Sequence, residues 1–192
     1  KGPNPMPLVI NHGWPWTFMD FDRLIGPLTD PGAHGGDPAV SFDVIIPSLP
    51  GYGFSMPLER TGLDIPAHAD LFRKLMAEVL GHDRFAVAGG DWGAAITTWM
   101  GHAFPEAVIG VLASIPYFPG LDLQALTPES YAPDEQWMLV RQAETAGTVM
   151  SHFVVQSTDP QTLAYALVDS PVGTAAWLWE RRRAWRDRKS VV

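Results

Sequence analysis

The sequence predicts an α/β fold, a parallel sheet with crossover helices on both faces, followed by an all-helical region. Short apolar runs alternate with segments whose apolar residues recur at helical spacing, the pattern of strands joined by crossover helices. After Ser114 the strand signals stop, and prolines and helix-start signals take over. Two glycine-flanked turns follow strand-like runs, where such a fold gathers its chemistry.

The first run, Pro7–Asn11 (PLVIN), makes sense as a strand only if almost wholly buried. Residues 17–28 carry a helical pattern, and the Gly/Pro/Asp-rich residues 29–38 form a loop. Phe42–Ile46 (FDVII) is the second strand. Asp64 reads as an N-cap with Pro66 in the first turn; Phe72, Leu75, Met76, Val79 and Leu80 then recur at helical spacing until Gly81 ends the helix. Phe85–Ala88 is the third strand, residues 93–103 the next helix, and Val108–Ala113 the fourth strand. Beyond it Pro116, Pro119, Pro128 and Pro133 punctuate a linker, with helical segments near residues 135–149, 161–168 and 172–185. Asp159-Pro160 and Ser170-Pro171 are N-cap and proline pairs that start two of these. The expected division is a core over residues 1–115 and a helical cap over 116–192. No internal repeat or low-complexity stretch interrupts it.

At 192 residues the chain is long enough to bury a true core. A net charge of −8 argues against nucleic acid and anionic membrane as partners, because both need a basic surface. The one basic cluster, Arg181–Arg183 with Arg186, Arg188 and Lys189, reads as a solvated helix face favoured by the helix dipole. There is no cysteine, which excludes disulfides, thiol nucleophiles and thiolate metal sites and fits the cytoplasm. No apolar run approaches the roughly 20 residues of a membrane span, and the first residues lack a signal-peptide layout. His34, His68, His82 and His102 read as loop or helix-surface residues, without paired metal-ligand spacing.

The chemistry concentrates at Gly89-Gly90-Asp91-Trp92-Gly93, a tight turn between a strand and a helix. A small-x-nucleophile-x-small turn projects its central side chain beyond the carboxyl end of a sheet. The flanking residues must be small because neighbouring backbone passes close by. Two plainer readings compete: Asp91 as a simple N-cap, and Ala88-x-Gly90-x-x-Gly93 as a near-miss dinucleotide loop. A carboxylate inside the loop would repel a pyrophosphate, and the next strand ends at Ala113-Ser114 without a ribose-binding acid. His12-Gly13-Trp14-Pro15 then weighs for the nucleophile, because it follows the first strand, where the α/β-hydrolase fold places half of its oxyanion hole. Alone it could be an ordinary loop, with or without a cis Trp14-Pro15 bond. Pro47–Ser55 adds a glycine-rich turn at the same sheet edge.

Taken together, HGWP at residues 12–15, PGYGFS at 50–55, GGDWG at 89–93 and DPQTLAYALVDSPVG at 159–173 resemble epoxide hydrolases of the microsomal type and their bacterial relatives. The resemblance covers nearly the whole chain; only Lys189–Val192 match nothing. It implies a hydrophobic epoxide and water as reactants and no cofactor or metal. Asp91 is the implied nucleophile, forming an alkyl ester that histidine-activated water then hydrolyses. The backbone N–H groups of Trp14 and Trp92 are the implied oxyanion hole. The family's cap offers a tyrosine that polarises the epoxide oxygen; His152 stands at that position here. The resemblance further implies an N-terminal extension and two more strands before Pro7, and a histidine and acid after the cap, so that this chain alone is catalytically incomplete. Haloalkane dehalogenation on the same aspartate, with the Trp14 and Trp92 indoles holding halide, is the nearest rival. A fragment that only binds is the rival from another class.

Overall fold

A computed structural model describes the chain apart from residues 1, 3, 116, 123, 124 and 186–192. It divides into two compact units, Lys1–Leu121 and Asp122–Val192. The sequence-based boundary at Pro116 falls on a residue outside the described set.

The first unit is built on four parallel strands: β1 (Met6–Asn11), β2 (Phe42–Ile45), β3 (Phe85–Gly89) and β4 (Val108–Ala113). Their order across the sheet is β2-β1-β3-β4. Side chains alternate between the two faces along each strand. Val9, Phe85 and Val87 therefore meet Phe72 and Met76 on one face, together with Ile96 and Met100. Leu8, Ile10 and Ala88 meet Phe21, Leu28 and Ile46 on the other. The expected burial of β1 is observed from Leu8 onward, through Asn11.

Three helices supply this packing: α1 (Asp22–Thr29), α2 (Ile65–Lys74) and α3 (Trp92–Ala103). The helical pattern from residue 17 is split in two. Thr17 and Asp20 form a capping box on a short 3-10 turn, Phe18–Phe21, and α1 comes directly after it. Asp64 caps α2 as its spacing predicts, its carboxylate accepting from the Ala67 N–H at 2.9 Å. The end of this helix departs from expectation. Leu75–Val79 form a π-helical turn, and the extra residue per turn rotates the end of the helix away from the sheet. Met76 is buried, but Val79, which continues the same apolar pattern, is 73% exposed.

The second unit holds α4 (Trp137–Val149), α5 (Ser151–Thr158), α6 (Pro160–Asp169) and α7 (Pro171–Trp185). The sequence predicts no helix where α5 stands; α5 begins a single residue after α4, and the expected segments leave residues 150–160 unassigned. Ser170 caps α7 through the Gly173 N–H at 3.0 Å. Asp159 makes no side-chain cap, so α6 starts on Pro160 alone.

Arg181 corrects the reading of the basic cluster as a solvated face. It is only 6% exposed and donates to the Thr148 carbonyl at 3.0 Å and to Ser151 Oγ. Its guanidinium lies over the Trp177 ring at 5.2 Å and pairs with Glu180 at 2.9 Å. The end of α4 leaves carbonyls without a partner in the helix, and a planar, multi-donor cation takes one of them, that of Thr148, together with the Ser151 hydroxyl. Arg186, Arg188 and Lys189 lie outside the described residues. No helix among the described residues is long and apolar enough to cross a membrane.

Candidate active site

The strand order reverses between β1 and β3. The chain goes from β1 outward to β2, then crosses back to β3 and on to β4. Loops leaving β1 and β3 therefore diverge to opposite sides and leave a crevice at the carboxyl edge of the sheet. The loop after β1 carries His12–Pro15, and the turn after β3 carries Gly90 and Asp91. Two segments far apart in sequence meet there.

Asp91 has φ 55° and ψ −125°, the one positive φ of a non-glycine residue among those described. This is backbone that L-residues avoid and that surrounding packing must hold. The packing is visible in the glycines. A methyl group on Gly89 would meet the Gly93 carbonyl oxygen at 2.3 Å, and one on Gly93 would meet the Asn11 carbonyl oxygen at 2.0 Å. The small residues two before and two after Asp91 are thus required by backbone passing against backbone.

The same geometry disposes of the plain N-cap. Asp91 stands at the cap position of α3, yet its side chain makes no cap hydrogen bond. Its Oδ1 accepts the Trp14 backbone N–H at 2.9 Å instead. Trp92 comes next, at the first position of α3, 42% exposed, where its N–H belongs to the unsatisfied first turn of a helix. The Trp14-Pro15 bond is cis. Asp91, Trp14 and Trp92 are therefore brought together. His152 belongs to the second unit, on α5, 8% exposed with its ring edge-to-face on Trp185 at 5.0 Å.

Three residues of the surroundings have no role of their own in the sequence reading, although His12 and Tyr52 fall within its motifs. His12 is buried; its Nε2 accepts the Leu49 N–H at 3.0 Å, and its Nδ1 lies 3.2 Å from the Gly13 carbonyl. A carbonyl can only accept, so Nδ1 carries the proton and the ring is neutral. Burial pushes the His12 pKa down, opposed by the Gly13 carbonyl, the Asp20 charge and the Trp16 backbone. With both nitrogens engaged, His12 is a strut joining the loop after β1 to Leu49 in the loop after β2, rather than a base for Asp91. Tyr52 packs edge-on against it, ring centroids 5.2 Å apart. Burial, then the Asp91 charge, push the Tyr52 phenol up to about 12. Asn11 is the third, fully buried beneath the turn. His34, His68, His82 and His102 are surface or part-exposed, as the sequence predicts; His82 lies 3.8 Å from Asp43. Among the described residues no cluster of ligating side chains could hold a metal.

A strained strand-to-helix turn at the switch point of a parallel sheet, facing a backbone donor from the first strand's loop, is the arrangement of the α/β-hydrolase fold. The chain belongs to the alpha/beta hydrolase fold family, whose model matches residues 6–142. Among curated proteins it is 36% identical to epoxide hydrolase 1 of Sus scrofa over 202 residues, a match covering 98% of this chain and 44% of that protein. Juvenile hormone epoxide hydrolase 1 of Ctenocephalides felis is 36% identical over 193 residues, covering 95% of this chain and 41% of that protein. The crystal structure of juvenile hormone epoxide hydrolase from the silkworm Bombyx mori superposes with a TM-score of 0.78 at 33% identity, over 96% of this chain and 45% of that one. The chain thus spans less than half the length of these relatives.

Proposed function

We propose that the protein, in its full length, hydrolyses hydrophobic epoxides to vicinal diols through an ester on Asp91. The observation that carries this reading is the hydrogen bond from the Trp14 N–H to Asp91 Oδ1. The oxygen so held is the one that becomes the ester carbonyl, and the other is left to attack. Attack on an epoxide carbon forms the C–O ester bond and breaks the ring C–O bond; the released alkoxide takes a proton from an acid. Ring strain lets a carboxylate displace without a base of its own. Water, deprotonated by a base, then adds to the ester carbonyl. The oxyanion so formed gains most from backbone N–H donors; the Trp14 N–H already holds an Asp91 oxygen, and the Trp92 N–H, in the first turn of α3, is the proposed second donor. Collapse releases the diol and restores the carboxylate.

The similarity to the epoxide hydrolases of Sus scrofa and Ctenocephalides felis supports the substrate class. The resemblance assigns the base to a histidine following the cap, and the acid to the cap position that His152 occupies. The test is an early acid quench of the full-length protein with styrene oxide, then peptide mass mapping. We expect an adduct on the peptide containing Asp91, and neither adduct nor diol with Asp91→Ala. An adduct on another residue, or diol from Asp91→Ala, refutes the proposal; halide release from a chloroalkane without diol from styrene oxide replaces it by dehalogenation. For His152, replacement by Tyr should preserve ring opening and replacement by Ala should slow it. Equal rates in all three proteins make the residue structural.

A further inference from the structure

We infer that Asn11 and Thr97 are a positioning pair that locks the Trp14 oxyanion loop onto the Asp91 turn; the inference deepens the proposed function and rests on it for its kinetic arm. Asn11 is the last residue of β1, three before Trp14, and Thr97 lies on α3, six after Asp91. Both are 0% exposed. The Asn11 Nδ2 donates to Thr97 Oγ1 at 3.0 Å across a sequence separation of 86 residues.

Asn11 grips the turn at two further points. Its backbone carbonyl accepts the Gly90 N–H at 3.3 Å, and that same carbonyl is what a methyl on Gly93 would strike. Thr97 Oγ1 in turn faces Gly89, 2.7 Å from where a Cβ would stand. One residue thus touches the residue before the nucleophile, the residue two after it, and the helix they lead into. It is also the residue from which the chain turns into His12, Gly13 and Trp14. Any slip of Asn11 against α3 becomes a slip of the Trp14 N–H against the Asp91 carboxylate.

A second observation points the same way. Asn11 Oδ1 is buried and has no hydrogen-bond partner among the described residues. Burying an unpaired acceptor opposes folding, and an apolar pair of similar shape would avoid that cost. A core chosen for stability alone has no use for this amide. An amide chosen to register a strand end against a helix does, because a directional bond fixes relative position where apolar contact permits sliding.

The experiment compares full-length wild type with Thr97→Val, Thr97→Ser and the double variant Asn11→Leu/Thr97→Val. The double variant leaves no unpaired amide and so keeps the fold testable if Thr97→Val alone unfolds. Three readouts are taken: the unfolding midpoint, peptide-level hydrogen exchange, and kcat and KM with styrene oxide. Both Val-containing proteins should show faster exchange in the segment spanning residues 10–16, with α2 unchanged. They should lose about 10- to 100-fold in kcat, the scale for a misplaced catalytic group, with KM within about threefold. Thr97→Ser keeps the hydroxyl and should restore both. The inference is overturned if exchange over residues 10–16 is unaltered, if it rises only in step with every other segment, or if kcat stays at the wild-type value. If wild type itself neither turns over nor forms the Asp91 adduct, the proposed function falls, and the exchange readout still decides the positioning role.

Discussion

Adding one methyl group at Gly93 tests the frame of the site more sharply than removing any side chain. Two effects of Gly93→Ala compete. Alanine in a helix, with a stiffer unfolded chain, gains about 0.5–1 kcal/mol over glycine. Against this, the new Cβ stands 2.0 Å from the Asn11 carbonyl oxygen, 2.5 Å from its carbon and 2.7 Å from the His12 oxygen. Cβ atoms essentially never approach closer than 3.0 Å, so the end of β1 and the start of α3 must separate by 1 Å. Both are backbone held by hydrogen bonds, so no rotamer change relieves the clash. Overpacking of this kind costs about 1–3 kcal/mol, which outweighs the helix gain. The net expectation is a midpoint lowered by several degrees, at about 2–4 °C per kcal/mol for a chain of this size. The same separation draws the Trp14 N–H from the carboxylate, and a 1 Å error in such a group costs about 100-fold in rate. The assay pairs thermal unfolding with the rate of ester formation on Asp91. Gly147→Ala is the control, since a methyl there meets nothing within 4 Å in the interior of α4; it should be neutral or slightly stabilising. A Gly93→Ala protein that melts with wild type and forms the ester at the wild-type rate refutes the account of the turn.

Two other expectations concern buried polar groups. Because burial lowers the His12 pKa, the folded protein resists a proton that the unfolded chain accepts. His12 therefore contributes its full stability above its ordinary value of 6.5 and loses it as the pH falls below that; the stability gap between wild type and His12→Asn should narrow toward pH 5, and a gap constant from pH 8 to 5 would contradict this. Arg181→Ala leaves the Thr148 carbonyl only the Ser151 hydroxyl as donor, removes the charged one, and should lower stability by about 1–3 kcal/mol, with Lys failing to restore it fully; denaturation midpoints for the three proteins decide it.

The legibility of the sequence tracked the range of the forces involved. Strand β4 could be read to the residue because its apolar run is flanked by a helix end and by Ser114, and Asp64 because a cap acts within one turn. Asp91 and the Trp14 loop were legible for a different reason: each is a local motif on a predictable strand end. The link between them was not local. Asn11 to Thr97, His12 to Leu49 and Arg181 to Thr148 span 86, 37 and 33 residues, and nothing in either partner's neighbourhood announces the other. The π-helical turn at Leu75–Val79 is hidden in the sequence because its residues keep an ordinary helical pattern, which gives no sign that Val79 stands exposed. The arginine run misled because charge density in sequence says nothing of a helix-end carbonyl waiting 33 residues away.

The backbone at Asp91 is hemmed in by Gly89, Gly93 and Asn11, while its own side chain caps nothing on α3 and reaches across to the Trp14 N–H instead. Mount and tool are therefore separable. The socket fixes where a side chain at position 91 emerges and which backbone donor greets it, whatever that side chain is. A serine or cysteine placed there would inherit the same exit vector and the same neighbour at Trp14. The kind of bond such a scaffold can attack is then decided by one interchangeable residue and by whatever base is brought to it, which gives the architecture latitude to change its chemistry without rebuilding its floor.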